Sequence, residues 1–225
     1  MSSSPFSSFI LDHPSPYPFY VFAGPCSAET EEQTLETARA LRAGGICFFR
    51  ASLWKPRTRP GSFEGVGEQG LPWLVRVKEE LGMQVATEIA SPQHAEAALK
   101  AGLDTFWIGA RTTASPFAVS ELAEALAGTD ARILVKNPLN PDIDLWEGAL
   151  LRLQQVGVKS IGAIHRGFST YAPGVYRNAP LWQLPIELQR RHPDLTIFVD
   201  PSHMAGRREL VPLLCQVGLE MNFAG

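Results

Sequence analysis

Cysteine is scarce in this sequence, with three among 225 residues, at Cys26, Cys47 and Cys215. Three thiols so far apart make no disulfide framework, and a reducing, cytoplasmic setting is expected. Long apolar runs are missing as well. No stretch reaches the roughly 18 residues of a membrane span. The opening MSSSPFSSFILDHPSPYPF has neither the basic flank nor the apolar core of a secretory signal. Positive charge is not in surplus: 20 Lys and Arg against 23 Asp and Glu leave a formal net charge of -3. That balance argues against broad electrostatic binding to nucleic acid or to a membrane. Nor does a G-x-G-x-x-G follow the first apolar run, where FAGPCSAET stands instead, which weighs against a dinucleotide-binding sheet.

What is present is an alternation. Short apolar runs at Tyr20–Ala23, Ile46–Phe49, Gln84–Thr87, Thr105–Ile108, Ile133–Val135, Ser160–Ile164 and Thr196–Val199 read as strands buried on both faces. Helical patterns lie between them. Thr30 to Gln33 has the form of a capping box, and Ser91-Pro92 and Ser115-Pro116 each place an N-cap before a proline at the first helical position. Leu71–Leu81, Leu145–Val156, Pro180–Arg191 and Glu209–Val217 complete the helices. Strands alternating with helices predict an α/β parallel sheet, and spacings of roughly 25–30 residues with polar strand ends favour a TIM (β/α)8-type barrel. Only seven strands can be counted, so the barrel is expected to be truncated before strand eight, near GLEMNFAG. Residues 1–18 are expected to form a flexible tail and 19–225 the barrel domain, lacking its last β/α unit.

In a barrel the functional groups gather at the C-terminal strand ends. Read in order, those ends carry Cys26; Arg50, followed by Lys55, Arg57 and Thr58; Glu88; Arg111; Lys136; Arg166; and Asp200 with His203. A single arginine or lysine in a loop is usually a solvated charge. Six cations at four strand ends repel one another unless an anion neutralises them, and arginine forks suit phosphate and carboxylate. A site for one or two multiply anionic small molecules is therefore expected. Cys26 is equally readable as a small buried hydrophobe, and His203 as a general base or a structural group. Brought together on one rim, thiol and imidazole would suit Zn, Mn or Fe.

The motifs AGPCS, WKPRT, IGAR, VK, HRG and DPSH, in that order from about Val21 onward, resemble the 3-deoxy-D-arabino-heptulosonate-7-phosphate (DAHP) synthases. The match is to the branch shared with the 3-deoxy-octulosonate-8-phosphate (KDO8P) synthases. KPRT points to the DAHP side, since KDO8P synthases usually carry Lys-Ala-Asn-Arg there. IHRG resembles a subgroup fused to a C-terminal chorismate mutase, so a mutase domain is expected in a longer form. The resemblance implies condensation of phosphoenolpyruvate with erythrose 4-phosphate, releasing phosphate, in the shikimate pathway of aromatic amino acid biosynthesis. It implies that Arg50, Lys55, Arg111, Lys136 and Arg166 hold phosphoenolpyruvate. Arg57 and Thr58 would meet the sugar phosphate, and Glu88 and Asp200 would line the pocket. Cys26 and His203 would be two of four ligands to a divalent metal (Mn, Fe, Zn or Co), with no organic cofactor. Lys55 or Lys136 would assist proton transfer, with Asp200 beside them. A homo-oligomer is expected. The family's remaining metal ligands, a glutamate and an aspartate, fall beyond Gly225. Three readings follow: a fragment of a longer synthase, a chain completed by another subunit, or a phosphate-binding module without turnover.

Overall fold

The computed structural model describes Phe6, Phe9, Leu11 and residues 15–171 and 174–225. The chain divides into two compact units, Leu11–Trp107, and Ile108–Gly225 taken with Met1–Ile10.

In the first unit β1 (Phe22–Ala23), α1 (Glu31–Ala43), β2 (Phe48–Arg50), α2 (Leu71–Leu81), β3 (Gln84–Ile89), α3 (Pro92–Lys100) and β4 (Thr105–Ile108) alternate, and the last residue of β4 passes into the second unit. The helix starts follow their caps. Thr30 Oγ1 accepts the Gln33 N–H at 3.1 Å, while Gln33 Oε1 reaches back to Glu29 N–H, one residue before the position a strict capping box uses. Ser91 Oγ accepts from His94 N–H ahead of Pro92. The first strand is shorter than Tyr20–Ala23, because only Phe22 and Ala23 pair with β2. Phe48, Phe49, Leu53, Leu74 and Met83 are fully buried and form its core.

The second unit holds α4 (Ala110–Thr113), α5 (Pro116–Leu126), β5 (Arg132–Lys136), α6 (Ile143–Gln155), β6 (Ser160–His165), α7 (Gln183–Arg191), β7 (Thr196–Val199), α8 (Pro201–Ala205) and α9 (Val211–Glu220). Two helices, α4 and α8, stand where the sequence suggested only loop. Helix α7 begins three residues later than Pro180, because Leu181 has φ 37, outside the right-handed helical region. Helix α6 begins at Ile143 rather than Leu145, because the Asp142 carboxylate accepts the Leu145 N–H at 2.9 Å. Trp146, Ile133, Val135, Leu150 and Phe168 are buried, and the Trp146 indole donates to Val135 O at 3.1 Å. Of the expected N-terminal tail, residues 1–5, 7–8, 10 and 12–14 lie outside the described residues. Phe6 and Phe9 are buried, with the Phe6 ring edge-on to His192 and Phe9 N–H donating to Thr196 Oγ1.

Pairing is parallel between β1 and β2, β2 and β3, β5 and β6, and β6 and β7. The seven strands follow in sequence order, without the reversal that marks a doubly wound sheet. This is the strand order of the (β/α) barrel class. Beyond α9, Ala224 N–H donates to Ile197 O and Val199 N–H to Gly225 O, both at 2.8 Å. The last two residues are thus hydrogen-bonded to β7. No helix among the described residues is long and apolar enough to cross a membrane.

Candidate functional site

The first unit presents the ends of β1, β2 and β3. Gly24 follows β1 with φ 150, and a Cβ there would sit 2.0 Å from Arg50 O, so only glycine lets these two strand ends lie so close. Arg50 Nη1 donates to Pro25 O at 3.3 Å, and Lys55 Nζ lies 3.1 Å from the exposed Cys26 Sγ. After β2 the chain leaves on a long loop. Its base is closed by Lys55 N–H to Glu64 O at 2.8 Å, and its interior is braced by Arg57 Nε to Phe63 O at 2.8 Å. Thr58 lies on the exposed part of this loop. Buried Ser52 ties loop to strand: its Oγ lies 2.6 Å from Trp54 O and 3.2 Å from Glu88 Oε2, with one hydroxyl hydrogen to serve either. Trp54 stacks on His94 with ring centroids 4.4 Å apart and planes at 9°, and His94 Nδ1 accepts from Ala90 N–H just past β3. Burial holds His94 below the usual imidazole range, against the charge of Glu68. Ser52 and His94 were not expected from the sequence, where they are an ordinary serine and an ordinary helix residue.

The second unit assembles a charged cluster at the ends of β5, β6 and β7. Lys136 closes β5, and its ammonium lies 2.9 Å from Asp200 Oδ2, with both side chains 13% exposed. Asp200 is also the N-cap of α8, its Oδ1 accepting from His203 N–H at 3.2 Å. His203 Nδ1 stands 2.8 Å from Asp200 Oδ2, at hydrogen-bond distance but without hydrogen-bond alignment, so the contact is electrostatic. Asp200 acts to raise the affinity of that imidazole for a proton. Burial and the cations Lys136 and Arg166 outweigh it, and His203 titrates below the usual range.

Arg166 is buried at the end of β6. Its backbone N–H donates to Asn137 Oδ1 at 2.7 Å, and its Nη1 donates to Gly167 O at 3.2 Å and Asn178 Oδ1 at 3.0 Å. Its Nε and Nη2 make no hydrogen bond among the described residues. Burial lowers the guanidinium pKa, Asp200 opposes that shift, and the neighbouring charges of Arg177 and Arg111 add to it. Arginine stays protonated nonetheless. Arg166 thus lies within electrostatic reach of Arg111 and Arg177, and guanidinium groups are suited to anions. Arg111 reaches this cluster from the exposed face of α4. Asn137, Asn178 and Arg177 were missed in the sequence; Asn137 could have been found as the polar residue directly after Lys136.

His165, beside Arg166, points into the core among Trp146, Phe168 and Trp182. Burial pushes its pKa down to about 3, opposed by the Pro180 carbonyl, so it is neutral. The two expected metal donors, Cys26 and His203, belong to different units. Thiol and imidazole have the right donor chemistry. Yet no group of three or more His, Cys, Asp or Glu suited to a metal gathers among the described residues. The donors present among the described residues do not complete a coordination sphere.

The family model of the DAHP synthetase I family matches residues 15–225. The phospho-2-dehydro-3-deoxyheptonate aldolase of Thermotoga maritima is 32% identical over 211 residues, covering 92% of this chain and 59% of that protein. The 2-dehydro-3-deoxyphosphooctonate aldolase of a Synechococcus strain is 31% identical over 227 residues, covering 92% of this chain and 77% of its own length. Among solved structures, the crystal structure of the Thermotoga maritima DAHP synthase superposes with a TM-score of 0.83 at 28% identity, over 98% of this chain and 63% of that one. This chain thus spans about three-fifths of the Thermotoga relative.

Proposed function

Because this chain belongs to the DAHP synthetase I family, we propose that it condenses phosphoenolpyruvate with erythrose 4-phosphate to give DAHP and inorganic phosphate. The observation that carries this reading is buried Arg166, oriented by two asparagines, with open donors and two further arginines within electrostatic reach. Arg50, Lys55, Arg111, Lys136 and Arg166 are assigned to the phosphate and carboxylate of phosphoenolpyruvate. Arg57 and Thr58 are assigned to the phosphate of the aldose, and Glu88 to the pocket lining. Cys26 and His203 are assigned as donors to a divalent metal, Mn, Fe, Zn or Co.

The chemistry makes two demands that these residues meet. Two anions must be held together, and fixed cations offset their repulsion without reorganising during the reaction. The alkene carbon of phosphoenolpyruvate then bonds to the aldehyde carbon, and positive charge appears at the carbon bearing the phosphate ester. Water adds there and the C–O bond to phosphate breaks. The new alkoxide needs a proton and the water must lose one. Lys55 and Lys136 are the candidate carriers, and the Lys136 ammonium is paired with Asp200 at 2.9 Å.

The test is phosphate release on mixing the chain with both substrates and Mn²⁺, alongside calorimetric titration with phosphoenolpyruvate alone. Turnover supports the synthase. Binding without turnover supports the second reading, a phosphate-binding module. Absence of binding by folded protein removes both. A fourth outcome separates the two relatives by carbon count. A heptonate needs a four-carbon aldose beside the three carbons of pyruvate, and an octonate needs five. KPRT, at Lys55 to Thr58, favours the four-carbon substrate, and preference for a five-carbon aldose phosphate would reverse that choice.

A further inference from the structure

Asn178 lies in the loop between β6 and α7, twelve residues after Arg166, and is 5% exposed. Its amide spans two strand ends. Oδ1 accepts from Arg166 Nη1 at 3.0 Å, and Nδ2 donates to the backbone carbonyl of His203 in α8 at 2.5 Å. Its own N–H donates to Met204 O at 3.1 Å, and the adjacent Ala179 exchanges two 2.8 Å hydrogen bonds with Phe168. The loop is therefore pinned at the asparagine and at the residue after it. Gly167 completes the arrangement: with φ 75, a Cβ there would come within 2.8 Å of Asn178 O and 3.0 Å of its Cβ. The glycine after Arg166 is the residue that lets Asn178 approach.

We propose that Asn178 is the positioning residue for Arg166, locking one guanidinium nitrogen so that Nε and Nη2 face the anion, and tying this fork to α8. An uncharged amide is the group that can do this. It accepts from the guanidinium without neutralising it, and it donates to a carbonyl, two roles no carboxylate can combine. A guanidinium loose in its pocket would have to be ordered when the ligand arrives, and that cost would appear as weaker binding.

The inference rests on the assignment of Arg166 to the anion, and the experiment separates the two. Phosphoenolpyruvate affinity is measured by calorimetry for the parent chain, Arg166→Ala, Asn178→Ala, Asn178→Asp and the double Arg166→Ala/Asn178→Ala variant, with thermal melts to confirm folding. Loss of one charge-assisted contact predicts about a tenfold or larger rise in Kd for Arg166→Ala, and a comparable rise for Asn178→Ala. If Asn178 acts through Arg166, removing it from the Arg166→Ala background adds little, so the two effects are not additive. Asn178→Asp keeps an acceptor but sets a carboxylate against the ligand for the same charge, and should bind more weakly than Asn178→Ala. Additive losses, or an Asn178→Asp variant that binds like the parent, would overturn the positioning role while leaving the anion assignment standing. An Arg166→Ala variant with parental affinity would overturn both. Should Asn178→Ala not fold, the comparison of Asn178→Asp with the parent decides.

Discussion

Asp200 serves three groups of the second unit at once. It caps α8, pairs with Lys136 and sets the field at His203, and its two oxygens do so with little solvent to help. Asp200→Ala would leave a largely buried ammonium unpaired and remove a helix cap, a loss of roughly 3–5 kcal/mol. Urea denaturation would measure it. Gly24 is the second sensitive residue: Gly24→Ala forces Cβ against Arg50 O at a φ of 150, and a loss on the order of 4 kcal/mol is expected from the same measurement. His165 governs a pH effect. The unfolded chain protonates it near pH 6.5, whereas the folded site resists until about pH 3. Between those values the unfolded state binds more protons, so stability is complete above pH 6.5 and falls on acidification. His165→Phe should flatten this limb by up to one proton, about 1.4 kcal/mol per pH unit.

Elements are joined by side chains that cross from one helix to the next. Arg191 at the end of α7 meets Asp144 at 2.9 Å and Glu147 at 2.6 Å on α6, and Glu187 at 3.1 Å on its own helix. His192 closes the same group against Glu147. Hydrogen bonds from Arg190 and then Arg191 hold Glu187 down to about 2. Its contribution is present above pH 4.5 and is lost as pH falls towards 2. Because these groups meet water, salt screens them. Arg191→Ala should lower Tm at low ionic strength and lower it less in concentrated salt, a difference that differential scanning calorimetry reads directly. An equal drop in both would mean that Arg191 works by packing its stem. The loop closed between Lys55 and Glu64 has its interior bracing from Arg57. It is the element whose order should increase when the sugar phosphate binds.

At the scale of the molecule, an anion that binds only the folded chain stabilises it by mass action. At a hundred times its Kd, phosphoenolpyruvate should add about 2.7 kcal/mol and raise Tm by roughly 5–10 °C for a chain of this size. Lys55→Ala should reduce that shift. Arg76→Ala should not, because Arg76 is occupied on the outer face of α2 by Glu31 and Glu80 at 2.6 Å each. Duplex DNA should give no shift, since a net charge of -3 offers no surplus for a polyanion.

Strand and helix order could be read from the chain because both are written locally. Apolar runs such as Thr105–Ile108 are buried on both faces, and Ser91 and Ser115, each directly before a proline, cap the starts of α3 and α5. The cations at the strand ends were legible for the same reason, as charges in the wrong place for a core. Other features depended on residues far apart in sequence. Asp200 meets Lys136 across 64 residues, Asn178 reaches His203 across 25, and Asn137 reaches Gly167 across 30. None of the three carries a local signature, because a buried asparagine is spelled like an exposed one. Short α4 and α8 went unseen because their four and five residues leave no period to detect. Charge and pattern along the chain determine the order of the strands and helices and place cations at the strand ends. The setting of Arg166 arises only when packing takes water from it and leaves the amides of Asn137 and Asn178 to hold it.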